Sequence, residues 1–178
     1  IEPHDSVERF TSLGVDCVQG DARILSPWEV EVNGSRISAR NIIIASGARP
    51  RVPDIPGLEE LDYLTSDSVW DIREAPARLL VLGAGPIGCE LAQAFSRLGT
   101  RVTLATHAEA VQPREDAEVS ALVLEAFRAQ GMEVLTLHEP SRFRADGSGQ
   151  HCLFNTVDGE REISFDRVLL AVGRTTNV

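Results

Sequence analysis

Three glycines, Gly83, Gly85 and Gly88, stand in the spacing GxGxxG directly after the apolar run Arg78-Leu79-Leu80-Val81-Leu82. That run reads as a buried strand. Beyond the glycines, Ile87, Leu91, Ala94, Phe95 and Leu98 fall on one face of a helix. A strand–glycine–helix order of this kind suits the pyrophosphate of a dinucleotide, NAD or NADP. Gly83 permits the tight turn, Gly85 leaves room for phosphate against the backbone, and Gly88 lets helix and strand approach. The helix N-terminus adds free N–H groups and a partial positive charge for the anion.

Other residues near the motif carry alternatives. Glu90 lies in the first turn of the helix, where it either complements the helix dipole or faces a nicotinamide. Cys89 beside it is either a thiol activated by the helix N-terminus or a small packing residue, and packing is the expectation. Sites for NAD place an acid at the end of the next strand to accept from the ribose hydroxyls. Here Thr106 or His107 occupies that place, and the nearest acid is Glu109. Either the adenosine is held by other groups, or His107 and Arg114 face the 2′-phosphate of NADP. Two further stretches, Ile43-Ile44-Ala45-Ser46-Gly47 and Leu169-Leu170-Ala171-Val172-Gly173, share one shape: an apolar run, a small residue, then glycine. Each glycine would let backbone approach a cofactor at the carboxyl end of a sheet.

The elements that must position these groups follow from the pattern. Pro86 suits a first helical position and Gly99 a C-terminal cap. Arg101–Ala105 predicts a second strand. Val119, Leu122, Val123, Ala126 and Phe127 predict a helix ended by Gly131, and Glu133–Leu137 a third strand. The unit reads β-α-β-α-β, a parallel sheet with right-handed crossovers. His151–Val157 and Glu160–Phe165 flank Asp158-Gly159, a small antiparallel excursion, and Arg167–Val172 returns as a buried strand. Upstream, Val15–Val18 is a small apolar stretch. Trp28–Val32 and Ser35–Ala39 alternate around an Asn33-Gly34 turn, and Asn41–Ala45 reads as a strand buried on both faces. Pro50, Pro53, Pro56 and Gly57 form neither helix nor central strand. The expected fold is α/β: a Rossmann-like parallel sheet with helices on both faces and a small antiparallel excursion, preceded by a β-rich stub. The expected division is 1–50, a connector at 51–70, and a dinucleotide-binding domain at 71–178.

Composition excludes several functions. The net charge of −10, from 17 basic and 27 acidic residues, argues against binding a nucleic-acid backbone. All the basic residues are arginine, so phosphate-loop and Schiff-base lysines are excluded. No apolar run approaches the ~20 residues that span a bilayer. Cys17, Cys89 and Cys152 form no CxxC or CxxxxC pair, which argues against a zinc knuckle or a local redox disulfide. With no charged-then-apolar leader at Ile1-Glu2-Pro3-His4, the expectation is a cytoplasmic protein with reduced thiols. The histidines His4, His107, His138 and His151 show no ligand spacing and are expected to be exposed.

The succession IIIASGARP (42–50), PGL (56–58), YLTSD (63–67), LVLGAGPIGCELAQAFSRLGTRVTL (80–104), PRED (113–116) and LLAVGRTTN (169–177) resembles the flavin-dependent pyridine nucleotide–disulfide oxidoreductases, dihydrolipoamide dehydrogenase and mercuric reductase branch. Thr106 stands where that family usually has glutamate, Thr176 where it has proline, and Ala45-Ser46-Gly47 where it reads Ala-Thr-Gly. The resemblance implies that Gly83, Gly85, Pro86, Ile87 and Gly88 hold the pyrophosphate. It implies that Glu90 sits near the nicotinamide and the flavin, and that Ala171, Val172 and Gly173 offer backbone to the nicotinamide end. Ser46 and Gly47 would lie near FAD in a whole enzyme. It further implies that residues 1–50 are part of an FAD domain, that the FAD and dimerisation domains are otherwise missing, and that the full-length parent is a homodimer. That parent would exchange hydride between NAD(P)H and FAD; these 178 residues, without the family's CxxxxC pair, are expected to be inactive. The alternative from another class is a non-catalytic dinucleotide-binding or sensing module.

Overall fold

A computed structural model describes residues 5–147 and 149–178. His4 lies outside the described residues. The chain divides into two units, residues 1–45 and 46–178.

In the first unit, Ser6 caps a short helix, α1 (Val7–Ser12), its hydroxyl accepting the Arg9 N–H at 3.2 Å. Strands β1 (Ala22–Ser26), β2 (Glu29–Val32) and β3 (Ser35–Ser38) form an antiparallel sheet in that order. Val32 pairs with Ser35 across Asn33-Gly34, whose φ values of 53° and 78° are those of a type I′ hairpin turn. Two expectations fail in this unit. Val15–Val18 is exposed and outside any strand, and so is Asn41–Ala45 apart from half-buried Ile42; Ile43 is 90% exposed. A strand buried on both faces needs neighbours to pair with and layers to cover it, and no described strand pairs with 41–45.

The second unit contains β4 (Ala48–Pro50), β5 (Leu64–Thr65), β6 (Arg78–Leu82), α2 (Pro86–Arg97), β7 (Arg101–Ala105), α3 (Ala117–Ala129) and β8 (Glu133–Leu135). It continues through β9 (Glu139–Asp146), β10 (Gly149–Thr156), β11 (Gly159–Phe165), β12 (Arg167–Leu170) and β13 (Arg174–Thr176). The central sheet is parallel, in the order β5-β12-β6-β7-β8. Strands β6 and β7 and the starts of both helices fall where the apolar periodicity puts them. Strand β8 stops two residues short of expectation, because Leu137 turns into the left-handed region at φ 56°. Strand β12 likewise ends at Leu170.

Side-chain alternation along the strands sorts two cores. Leu79, Val81, Val102, Leu104 and Leu169 face α2 and α3, meeting Cys89, Ala92, Phe95 and Phe127. Leu80, Leu82, Ala105, Leu135, Val168 and Leu170 face the other way. That second face is covered by the antiparallel sheet β9-β10-β11 through Phe143, Cys152, Phe154, Ile163 and Phe165. The expected α/β class, parallel sheet and antiparallel excursion are present, but both long helices lie on one face. Two right-handed crossovers running the same way across the sheet put their helices on the same side. Each such buried Leu or Phe stabilises the fold by about 1.5–3 kcal/mol.

Residues 51–70 pack into this unit. Leu58 is 2% exposed and joins the antiparallel-side core with Leu61, while Leu64 and Val69 join the helix-side core. Prolines prevented a helix there, not burial. The β10–β11 turn is one residue earlier than expected: Thr156 pairs with Gly159, so Val157-Asp158 form the loop.

Candidate nucleotide site

The carboxyl edge of the parallel sheet is extended by one residue on three strands. Gly83 N–H donates to Ala105 O at 2.8 Å, Ala171 N–H to Leu82 O at 2.8 Å, and Thr106 N–H to Leu135 O at 2.9 Å. Gly83, Ala171 and Thr106 therefore stand side by side where ligands bind in open parallel sheets.

The three motif glycines have different reasons to be glycine. Gly83 has φ 100°, and a Cβ there would lie 2.4 Å from Ala171 O. A Cβ on Gly88 would lie 1.9 Å from Gly83 O and 3.3 Å from the Ala171 methyl. A Cβ on Gly85 would meet nothing within 4 Å. The outer glycines close the turn against protein; the middle one opens on empty space above the first turn of α2. No described group accepts the Gly85 N–H. Pro86 occupies the first position of α2, and Ile87 beside it is exposed.

Glu90 is exposed, but it lies in the second turn of α2, whose first turn holds no acid. The dipole role needs the first turn, so that alternative falls. Cys89 is buried with its thiol donating to Ala84 O at 3.3 Å, and burial pushes it up to about 11. Desolvation outweighs the helix N-terminus here, and Cys89 is the packing residue.

Thr106 is 6% exposed and its hydroxyl oxygen accepts the Ala108 N–H at 3.2 Å, so it faces inward. His107, Glu109 and Arg114 are exposed. The segment carrying them is anchored: Val111 is fully buried, the Ser120 hydroxyl donates to Val111 O at 2.6 Å, and Gln112 N–H donates to Ala84 O at 2.7 Å. Val111, Gln112 and Ser120 escape sequence reasoning, since PRED at 113–116 was only a family mark and nothing in it announces a contact with the glycine loop.

Ala171 and Val172 are half-buried beside Gly83, and Gly173, exposed at φ 109°, accepts the Arg51 N–H at 3.0 Å. Ser46 and Gly47 are exposed against Asn177, whose side-chain amide donates to Ser46 O at 3.1 Å and whose N–H donates to Gly47 O at 3.2 Å. Among the histidines only His107 is as exposed as expected. His138 is half-buried: its N–H donates to Thr106 O at 2.9 Å, and its ring meets Phe154 edge-on at 5.9 Å. His151 is 6% exposed, with Ser164 Oγ 3.0 Å from Nδ1 and Asp146 and Glu162 each at 3.6 Å. Neighbouring strands on both sides cover a residue that spacing alone leaves at the surface. No group of three His, Cys, Asp or Glu among the described residues could hold a metal. No helix among them is long and apolar enough to cross a membrane.

Comparison with known proteins agrees with this geometry. The family model described as "Pyridine nucleotide-disulphide oxidoreductase" matches residues 4–178. Mercuric reductase from Staphylococcus aureus is 36% identical over 171 residues, covering 96% of this chain and 31% of its own length. Dihydrolipoyl dehydrogenase from Thermus scotoductus is 34% identical over 169 residues, covering 90% and 35%. The crystal structure of an HOCl-induced flavoprotein disulfide reductase from Escherichia coli superposes with a TM-score of 0.73 at 26% identity, over 94% of this chain and 39% of that one. The chain spans about a third of the length of the curated relatives it matches.

Proposed function

The chain belongs to the pyridine nucleotide–disulphide oxidoreductase family, and from that premise we propose that residues 71–178 are the NAD(P)-binding part of an FAD-dependent oxidoreductase of the mercuric reductase or dihydrolipoamide dehydrogenase kind. In the whole protein NAD(P)H gives a hydride, two electrons and one proton, to FAD. The reduced flavin then passes two electrons to a disulfide or a metal-ion substrate; a dihydrolipoamide dehydrogenase runs the path toward NAD. Residues 1–50 belong on this reading to the FAD-binding part, with Ser46 and Gly47 near the flavin, and the parent is a homodimer.

The observation that carries the reading is the contrast among the glycines. Gly83 and Gly88 are closed by the protein's own backbone, while Gly85 faces open space with its N–H unpartnered. A phosphate against that loop meets the Gly85, Ile87 and Gly88 amides at the positive end of α2. Pro86 leaves no competing donor and starts the helix. Exposed Glu90 stands one turn further on, toward the nicotinamide, and the backbone of Ala171, Val172 and Gly173 borders the same edge. At the ribose end inward-facing Thr106 offers no acceptor, so His107, Glu109 and Arg114 decide between NAD and NADP.

Calorimetric titration of the chain with NADH and NADPH tests the proposal. Binding that is lost in Gly85→Val is the expected result; no binding of either dinucleotide would overturn it.

A further inference from the structure

The peptide unit between Ala84 and Gly85 is anchored from one side. Its carbonyl oxygen accepts the Gln112 N–H at 2.7 Å and the Cys89 thiol at 3.3 Å. Both donors are firmly placed. Cys89 is buried in the helix-side core. Gln112 follows fully buried Val111, whose carbonyl is held by Ser120 at 2.6 Å. Gln112 itself adopts φ 48°, in the left-handed region that side-chain-bearing residues rarely enter. Such a conformation persists only where its surroundings over-determine it, and here it accompanies the N–H bond to the glycine loop.

A trans peptide is planar, so its C=O and N–H point in opposite directions. The described chain has no cis bond. With the Ala84 oxygen fixed toward Gln112 and Cys89, the Gly85 N–H faces away from them, on the side where a Gly85 Cβ would meet nothing within 4 Å. Turned the other way, the same peptide would present its carbonyl oxygen to an arriving phosphate. We infer that Gln112 and Cys89 are positioning residues for the dinucleotide pyrophosphate: together they hold the Ala84–Gly85 peptide with the Gly85 N–H aimed at the anion before it binds. Donors fixed in advance lose nothing to reorganisation when the charge arrives. The inference rests on the glycine loop being the phosphate site, and it gives the 107–116 segment a task independent of any contact with the ribose.

The test uses the ¹⁵N-labelled chain with ADP as the pyrophosphate probe and NADH beside it. The Gly85 amide is expected to exchange freely with solvent and to shift strongly on titration with ADP. Cys89→Ala removes one anchor and should raise the ADP Kd about threefold, the share of a weak donor. Cys89→Ser supplies a hydroxyl donor in the same place and should restore it. Gln112→Pro deletes the other anchor and should weaken ADP about tenfold or more, whereas Gln112→Gly keeps the N–H and should stay within about twofold. If Gln112→Pro does not fold, the Cys89 pair and the Gly85 resonance carry the test. A parent chain that binds neither ADP nor NADH overturns the phosphate-site reading itself. A parent that binds both, with Cys89→Ala unchanged or with a protected Gly85 amide that ADP does not move, overturns the positioning role alone.

Discussion

The Cβ that Gly88 lacks would stand 1.9 Å from the carbonyl oxygen of Gly83. That distance separates two jobs within one motif. Gly88→Ala must push helix α2 from the sheet and should cost about 3 kcal/mol of stability, read as a lower urea midpoint. Gly85→Val points into open space and should leave the far-UV spectrum and the midpoint near the parent's while abolishing dinucleotide binding. If instead Gly85→Val binds like the parent, phosphate sits somewhere other than this loop.

Cofactor choice should be loose. Thr106 faces inward, so no anionic acceptor rewards a free ribose diol from that position, and none repels a 2′-phosphate. The absent charged hydrogen bond is worth about 1.5–3 kcal/mol of NAD affinity. We expect comparable dissociation constants for NADH and NADPH near neutrality, with NADPH gaining as the pH falls and histidine beside the site takes a proton. Titrating both at two pH values is the check. A strong, pH-independent preference for NADH would mean that Glu109 or another acceptor holds the ribose.

Asp166 closes the start of β6. Its carboxylate accepts the Arg78 backbone N–H at 2.7 Å and the guanidinium at 2.7 and 3.1 Å. These bonds hold the Asp166 carboxyl below its ordinary value. A carboxyl lowered in the folded state contributes stability above the unfolded-state pKa and loses it as the pH falls through the folded one. Asp166→Asn should therefore cost stability near neutrality, about 1 kcal/mol for a pair this open to solvent, and little in acid. Urea melts at neutral and acid pH should converge for parent and variant. Parallel loss at both would deny the linkage.

Thiol chemistry should be confined to one residue. Burial pushes Cys89 up to about 11 and Cys152 up to about 12, whereas Cys17 is exposed. The nucleophile is the thiolate, so an aromatic disulfide reagent should titrate one thiol in the native chain and three in denaturant. The native chain should be colourless and should not oxidise NAD(P)H when a disulfide is added. Flavin absorbance, or turnover with the disulfide, would contradict this.

Sequence pattern carried much of this. Continuous apolar runs marked β6 and β7, a four-residue apolar rhythm marked α2 and α3, and Asn33-Gly34 marked a turn, because these signals are local. The glycine roles were legible for the same reason: turn, opening and close approach are set within six residues. What was hidden depends on distant neighbours. Ile43 and Ile44 look like core until one asks what covers them. His151 looks exposed until β9 and β11 flank it. The clamp on Ala84 joins residues from two loops, through a backbone N–H and a φ value that no residue type announces.

Ala48–Pro50 and Arg174–Thr176 pair antiparallel, with Thr176 opposite Ala48, and Asn177 reaches back to Gly47. The polypeptide therefore enters and leaves the second unit through a single two-stranded stem, its crossings about 5 Å apart. Such a unit behaves as a cassette. Joined across residues 47 and 177 it would close on itself without spanning any gap, so the stem is the natural place to excise, transplant or circularly permute it.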